Sequence, residues 1–387
     1  GGYLVVCNDV EAFTNHYPTA TNYVGDYSGN LDNEGERVTL SRWDGTNWVT
    51  EDTIEFNDHG LADGNGPSLE LAHPGYARLR DQYTGDWLDS TTTNGTPGVQ
   101  NSVYVSNALP VVGDVVHIPA LPPAGSTVKV SAQCTGRDSD ILTSVLLLYR
   151  KDAAVQVDWT NTPMYDTGAD GDAVAGDGIY TAYLPPYGCP AFQAGDLIEY
   201  RVSAMAPEGT RIYPVTNKTG ANSSDFSYFF KFGEDTQSDC AFPGEYFTVH
   251  MLMTTSNSIA LTNDIAVTKA ANVDCTFFAD ATIITSDGEI FQSASVRGRG
   301  GTSRNPNFGG YRVELPPGGK VLGMKRFNLN HLNALKQYIG MQTFGATCGK
   351  YAFESHLSRV YLNGTLKLPS QGIYMLFEAF DDDMMST

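Results

Sequence analysis

The sequence predicts a mostly β protein: two antiparallel sandwiches followed by an α+β module. Composition is the first reason, since 40 Gly and 21 Tyr accompany many Thr, Asn, Ser and Asp. Gly, Asn and Asp tolerate the positive φ of tight turns, and Tyr and Thr suit pleated surfaces. Pattern is the second, because short runs of alternating apolar and polar residues recur between Asp- and Gly-rich turns. Length is the third: 387 residues exceed one ordinary core and divide into 1–105, 106–238 and 239–387.

Residues 1–105 supply the runs YLVV, RVTLSRW, NWVTEDTIEF and PSLEL. Their alternation is that of antiparallel strands with one face buried. Four segments appear in order: GGYLVVCNDVEAFTNHYP, YSGNLDNEGERVTLS, ADGNGPSLEL and WLDSTTTNGTPGVQNS. Together they resemble the bacterial lamin tail domain, an immunoglobulin-like fold. That family begins with two further strands before the YLVV-like one, so the resemblance implies a sandwich whose amino-terminal strands are missing. It also implies a binding and positioning role on surface proteins, with no catalytic residues.

Residues 106–238 read as a second sandwich, with STVKVSAQC, TSVLLLYRK, GIYTAYLP, LIEYRVSAMA and FSYFFKFG as strands. This region resembles the immunoglobulin-like linkers of large exported bacterial proteins. Inside it, DTGADGDAVAGDGIYTAYLP places Asp166, Asp170, Asp172 and Asp177 among glycines. Hard oxygen ligands gathered in one turn suit Ca²⁺, although the spacing is not that of an EF-hand. Asp-Gly pairs are equally the chemistry of ordinary turns.

In residues 239–387, strands are expected at EYFTVHMLMTT, DCTFFADATIITSD, EIFQSASVRGR and GYRVEL. One helix, LNALKQYIGMQTFGA, follows, and then HLSRVYLNG and QGIYMLFEAF as further strands. Sheet plus one helix is an α+β pattern. The order VRGRGGTSR, YRVEL, KRFNLN, SRVYLNGT and GIYMLFEAFDDDMM resembles the amino-terminal part of the CotH (spore coat protein H) kinase family. The resemblance implies a kinase N-lobe-like module of a secreted atypical protein kinase using ATP and Mg²⁺.

The stretch SVRGRGGTSRNPNFGGYRVEL holds five glycines and four arginines. A phosphate cradle needs a tightly curled backbone and fixed positive charge. Arg297 and Arg299, two apart on a strand, face one side and suit bidentate grips on a polyphosphate. Under the kinase reading, Arg297, Arg299, Arg312, Lys325 and Glu378 are the nucleotide-binding candidates. The alternative is a twisted hairpin whose arginines pair with neighbouring carboxylates. No Walker sequence is present, Phe308, Gly309 and Gly310 stand where the family commonly has a Lys pair, and the expected helix carries Lys336 but no acid. The family's catalytic acids lie downstream of the GIYMLFEAF-like strand, where this chain has only DDDMMST. No catalytic residue is therefore assigned.

Net charge is −20 and uneven, with 16 acidic and 4 basic residues in 1–105 but 13 and 12 in 239–387. Such an acidic front repels nucleic acid and anionic lipid. Nothing approaches 18 consecutive apolar residues, so no membrane span is expected. The opening GGYLVV is read as a strand, and the chain as a mature or fragmentary product. Six cysteines show no zinc spacing. Cys134–Cys189 and Cys240–Cys275 would each close within one region; unpaired buried thiols are the alternative. Low lysine and high Thr, Asn and Tyr suit an exported protein. The expected function is a bacterial cell-surface or extracellular assembly protein, of filament or surface-layer type, with protein partners that include copies of itself joined by strand addition. The second expectation is an atypical secreted kinase of which the chain is an incomplete fragment.

Overall fold

The computed structural model describes residues 2–31, 37–55, 66–73, 86–137, 141–153, 155, 157–214, 227–233, 246–300, 304–316, 318–348, 354–367 and 373–379. These are mostly strand, with three helices among them.

In the first region the apolar runs become β1 (Val5–Cys7), β2 (Tyr23–Gly25), β3 (Arg37–Trp43), β4 (Trp48–Glu55), β5 (Leu69–Leu71) and β6 (Trp87–Asp89). A short helix, α1 (Val10–His16), lies between β1 and β2, with Asp9 capping it by accepting from the Ala12 N–H. That crossover lets β1 and β2 pair in parallel, where antiparallel pairing was expected. The β3–β4 turn is held by Asp44, whose carboxylate accepts from the N–H groups of Thr46 and Asn47. All three pairings here are two-stranded sheets.

The second region contributes β7 (Val111–Ile118), β8 (Val128–Thr135), β9 (Ser144–Lys151), β10 (Thr160–Pro163), β11 (Ile179–Leu184), β12 (Leu197–Ala206), β13 (Gly209–Tyr213) and β14 (Tyr228–Lys231). One sheet runs β10-β9-β12-β13, with β14 also on β12; the other runs β11-β8-β7. Their facing side chains form one core, in which Val128, Val130 and Leu184 meet Leu147, Ile198, Val202 and Phe230. The strict alternation of β8, buried at every second residue, is the sequence pattern made physical. Asp86, fully buried, joins this region to the first through Arg211 at 2.6 Å and Arg137 at 3.5 Å.

The third region holds β15 (Phe247–Leu252), α2 (Thr255–Ala271), β16 (Phe278–Thr285), β17 (Ile290–Gly298), β18 (Tyr311–Glu314), β19 (Arg326–Asn330), α3 (Ala334–Cys348), β20 (Ser355–Leu362), β21 (Thr365–Leu366) and β22 (Tyr374–Glu378). Seven strands follow one another in the order β15-β16-β17-β18-β19-β22-β20, and parallel pairing of β20 with β15 closes the ring. Closure leaves no open edge in the ring. Alternate residues fill the interior, among them Ala281, Ile283, Val296, Val313, Phe327, Leu329 and Leu376. The expectation of a single helix is corrected here. α2 was not anticipated because its buried residues are Asn257, Leu261, Ile265 and Thr268, an inner face half polar. Thr254 caps it by accepting from the Asn257 N–H, and Asn272 ends it in the left-handed conformation.

The second and third regions also meet. Ser227 and Phe229 of the β14 segment donate their N–H groups to Asp280 and to the Thr282 hydroxyl on β16. Leu197, Phe229, Leu252 and Ile284 form a small apolar cluster between them. No described helix is long and apolar enough to cross a membrane.

Candidate functional site

The glycine–arginine stretch of the sequence straddles β17 and β18. Register places Phe278, Arg297, Arg312, Asn328 and Phe377 in one row across β16, β17, β18, β19 and β22. Val296, Val313, Phe327 and Leu376, their neighbours along each strand, all lie in the barrel core. The row therefore stands on the outer face. Arg297 lies over the Phe278 ring, 5.3 Å from its centroid. Arg299, two residues further on, lies over the Phe377 ring at 5.1 Å. Its backbone N–H is bound to the Gly310 carbonyl, beside β18. Burial, then the charges of Arg312 and Arg297, hold the Arg299 guanidinium below the usual arginine pKa. Among the described residues no carboxylate pairs with Arg297 or Arg299. One row along, Glu314 is held by Arg326 at 3.2 Å.

Three of the five expected nucleotide-binding residues are thus brought together: Arg297, Arg299 and Arg312. Lys325 and Glu378 are not part of the group. Glu378 stands opposite Phe327 and alternates with Leu376, both on the core side. Lys325 is exposed just ahead of β19, outside the row.

The fourth arginine of the stretch, Arg304, has a different task. It is 2% exposed and donates to the Thr268 hydroxyl at 2.8 Å, the Val273 carbonyl at 2.5 Å and the Cys275 sulfur at 3.3 Å. A cation at the carbonyl end of α2 also meets the helix dipole favourably. The glycines likewise serve close packing. A Cβ on Gly298 would come within 2.5 Å of Ile265 and 2.6 Å of Cys275, and one on Gly310 within 2.9 Å of the Arg299 carbonyl. These contacts hold Gly298 against α2 and Gly310 against the Arg299 backbone.

The acidic loop of the second region gathers three carboxylates. Ligand atoms of Asp166, Asp172 and Asp177 lie within 4.8 Å of one another, and Asp170 is outside the group. Each of the three already accepts backbone N–H groups: Asp166 from Gly176 and Gly178, Asp172 from Gly168 and Val174, Asp177 from Ile179. The bond from Gly168, the largest influence, lowers the Asp172 pKa. The turn is held by these bonds as it stands.

The suggested disulfides do not form where they can be followed. Cys134 and Cys189 are both free thiols, as is Cys275. Cys134 is buried in the core of the second region, and that burial pushes its pKa up to about 12. Cys240, the fourth residue of the suggested pairs, and Asp381, Asp382 and Asp383 of the DDDMMST segment lie outside the described residues.

Sequence reasoning passed over Asn328 and the His117–Tyr200–Gln292 group. His117 is buried, with Nδ1 2.8 Å from the Tyr200 hydroxyl and Nε2 3.1 Å from the Ala120 carbonyl. One neutral tautomer meets both: Nε2–H donates to the carbonyl and Nδ1 accepts from the hydroxyl. Gln292 of β17 donates to Tyr200 at 2.8 Å, so the group spans the second and third regions. Only strand pairing brings these three together, and nothing local in the sequence marks them. No family model matches the chain, and no curated protein matches it.

Proposed function

We propose that this chain is an exported bacterial cell-surface or extracellular assembly protein, of filament or surface-layer type, acting by domain–domain and protein–protein contacts. One observation carries the reading. Among its described residues the first region pairs as two-stranded sheets, and large apolar side chains there stand in solvent, with Leu40 65% and Trp48 70% exposed and Leu4, Val6, Val24 and Trp43 at least half exposed. Two-stranded sheets are marginal alone and offer free edges that another strand can extend. A second copy, adding a strand there, satisfies both needs. In this reading residues 1–105 are a lamin-tail-like sandwich, 106–238 an immunoglobulin-like one and 239–387 a kinase N-lobe-like module. Light scattering tests it: the native chain associates with rising concentration, and Leu40→Asp with Trp48→Asp does not. A native chain of single mass throughout sinks the reading.

The acidic loop adds a cofactor to this proposal, since Asp166, Asp172 and Asp177 present the hard oxygen ligands Ca²⁺ takes. Adding Ca²⁺ raises the unfolding temperature of the native chain and not of Asp166→Asn with Asp177→Asn; an equal response in both removes the ion.

The grouping of Arg297, Arg299 and Arg312 on one face favours a second reading, part of a CotH-type secreted kinase. Calorimetric titration with ATP and Mg²⁺ tests it, and absence of heat at millimolar nucleotide removes it.

A further inference from the structure

One directional chain of hydrogen bonds stitches the barrel to the second region. The Phe229 N–H donates to the Thr282 hydroxyl at 3.0 Å, and that hydroxyl donates to Gln292 Oε1 at 2.8 Å. Gln292 Nε2 donates to the Tyr200 hydroxyl at 2.8 Å, which in turn donates to His117 Nδ1 at 2.8 Å. His117 Nε2–H closes the chain on the Ala120 carbonyl at 3.1 Å. The path leaves the second region at β14, runs through β16 and β17, and returns at β12 and β7. Its two ends are backbone groups that cannot exchange roles, since an amide N–H only donates and a carbonyl only accepts. Every link between them is therefore fixed in direction, and only the neutral ring of His117 fits. Ring protonation sets Nδ1–H against a hydroxyl that already donates to it. The fully buried Tyr200 O–H then loses its acceptor, the costly outcome for a buried donor.

A second buried histidine stands at the same junction on the barrel side. His250 of β15 is 1% exposed, with the Tyr361 ring of β20 stacked on it at 4.6 Å and Ile284 of β16 opposite. Burial, then the charge of Lys231 from β14, lowers its pKa to about 4. Around His117 lie Tyr200 of β12, Phe230 of β14, Gln292 of β17 and the Ala120 carbonyl, none of them charged. Burial lowers the His117 pKa to about 4 as well. Two carboxylates also bridge the regions: Asp280 accepts the Ser227 N–H, and Asp152 the Thr255 N–H, each at 3.0 Å.

We infer that the junction between the second region and the barrel is an acid-sensitive latch, closed while His117 and His250 are neutral and released as they take up protons. Separation brings both rings to water, where an imidazole binds protons at ordinary acidity. The closed arrangement therefore keeps its full advantage above pH 6.5 and loses it progressively as pH falls toward 4. The latch is independent of strand addition by the first region.

Amide hydrogen exchange on the whole chain tests this, with the Ser227 and Phe229 N–H groups as reporters because both donate across the junction. Leu147 and Val313, one in each core, are the internal references. From about pH 7 to about pH 5, protection at the reporters falls at least about tenfold while the references hold. His117→Gln keeps a donor and an acceptor but cannot titrate, so it diminishes the fall; adding His250→Gln abolishes it. Asp280→Asn and Asp152→Asn leave the fall at Phe229 in place. Equal reporter protection at both pH values overturns the inference. So does a fall that either aspartate variant abolishes, which makes a carboxylate the sensor. The native comparison and the aspartate variants decide the matter even where a histidine variant does not fold.

Discussion

Arg297 and Arg312 stand directly opposite each other across β17 and β18, on the outer face of the barrel. Like charges directly opposite each other destabilise a sheet. Arg304, from the same stretch of sequence, is buried and bonded to α2.

These two kinds of arginine respond oppositely to removal. Arg297→Met leaves stability within about 0.5 kcal/mol of the native value, or raises it slightly. Arg304→Met strips the partner from the Val273 carbonyl and the Thr268 hydroxyl and costs about 1–3 kcal/mol. Urea unfolding of the two variants side by side measures the contrast.

Asp86 offers a sharper case. Its carboxylate is fully buried between Arg211 and Arg137. Asp86→Asn leaves buried guanidinium charge uncompensated and costs about 3–5 kcal/mol. The exposed pair Arg42–Glu51 is as short as Asp86–Arg211, 2.6 Å in each, but is bathed in water. Glu51→Gln changes stability by less than about 1 kcal/mol. Chemical denaturation of both variants shows whether burial sets the cost at equal distance.

His117 sets an acid limit. Burial lowers its pKa to about 4 from an ordinary 6.5. Between those values the unfolded chain binds the proton and the folded one does not, so stability rises with pH from 4 to 6.5 and is level above. The full span is about 3 kcal/mol. His117→Gln removes its share of that rise and leaves the share of His250, which burial likewise lowers to about 4, as thermal unfolding at half-unit pH steps will show.

Much of this framework was legible in the sequence, and the rest for definite reasons was not. Alternation in VKVSAQCT and IYTAYL marked β8 and β11 because each has a consistently buried side. The helix expected over LNALKQYIGMQTFGA lies within two residues of α3. α2 was hidden because Asn257 and Thr268 occupy half of its inner face. In the candidate site, Arg297 and Arg299 share a side by strand period alone. Glu378 falls outside the arginine row, opposite Phe327, through register across β19 and β22, which no single strand encodes. Asn328 escaped notice for the same reason: an asparagine in KRFNLN gains meaning only from Arg312 and Phe377 on either side.

The central claim is that the open strands of the first region accept a strand from another copy. Hydrogen exchange of backbone amides at Leu4–Cys7 and Val38–Val49, followed from dilute to concentrated protein, tests it most directly. The account predicts slow exchange there at high concentration and fast exchange on dilution, with amides of the barrel core unchanged throughout. Identical exchange of these strands at every concentration would contradict it.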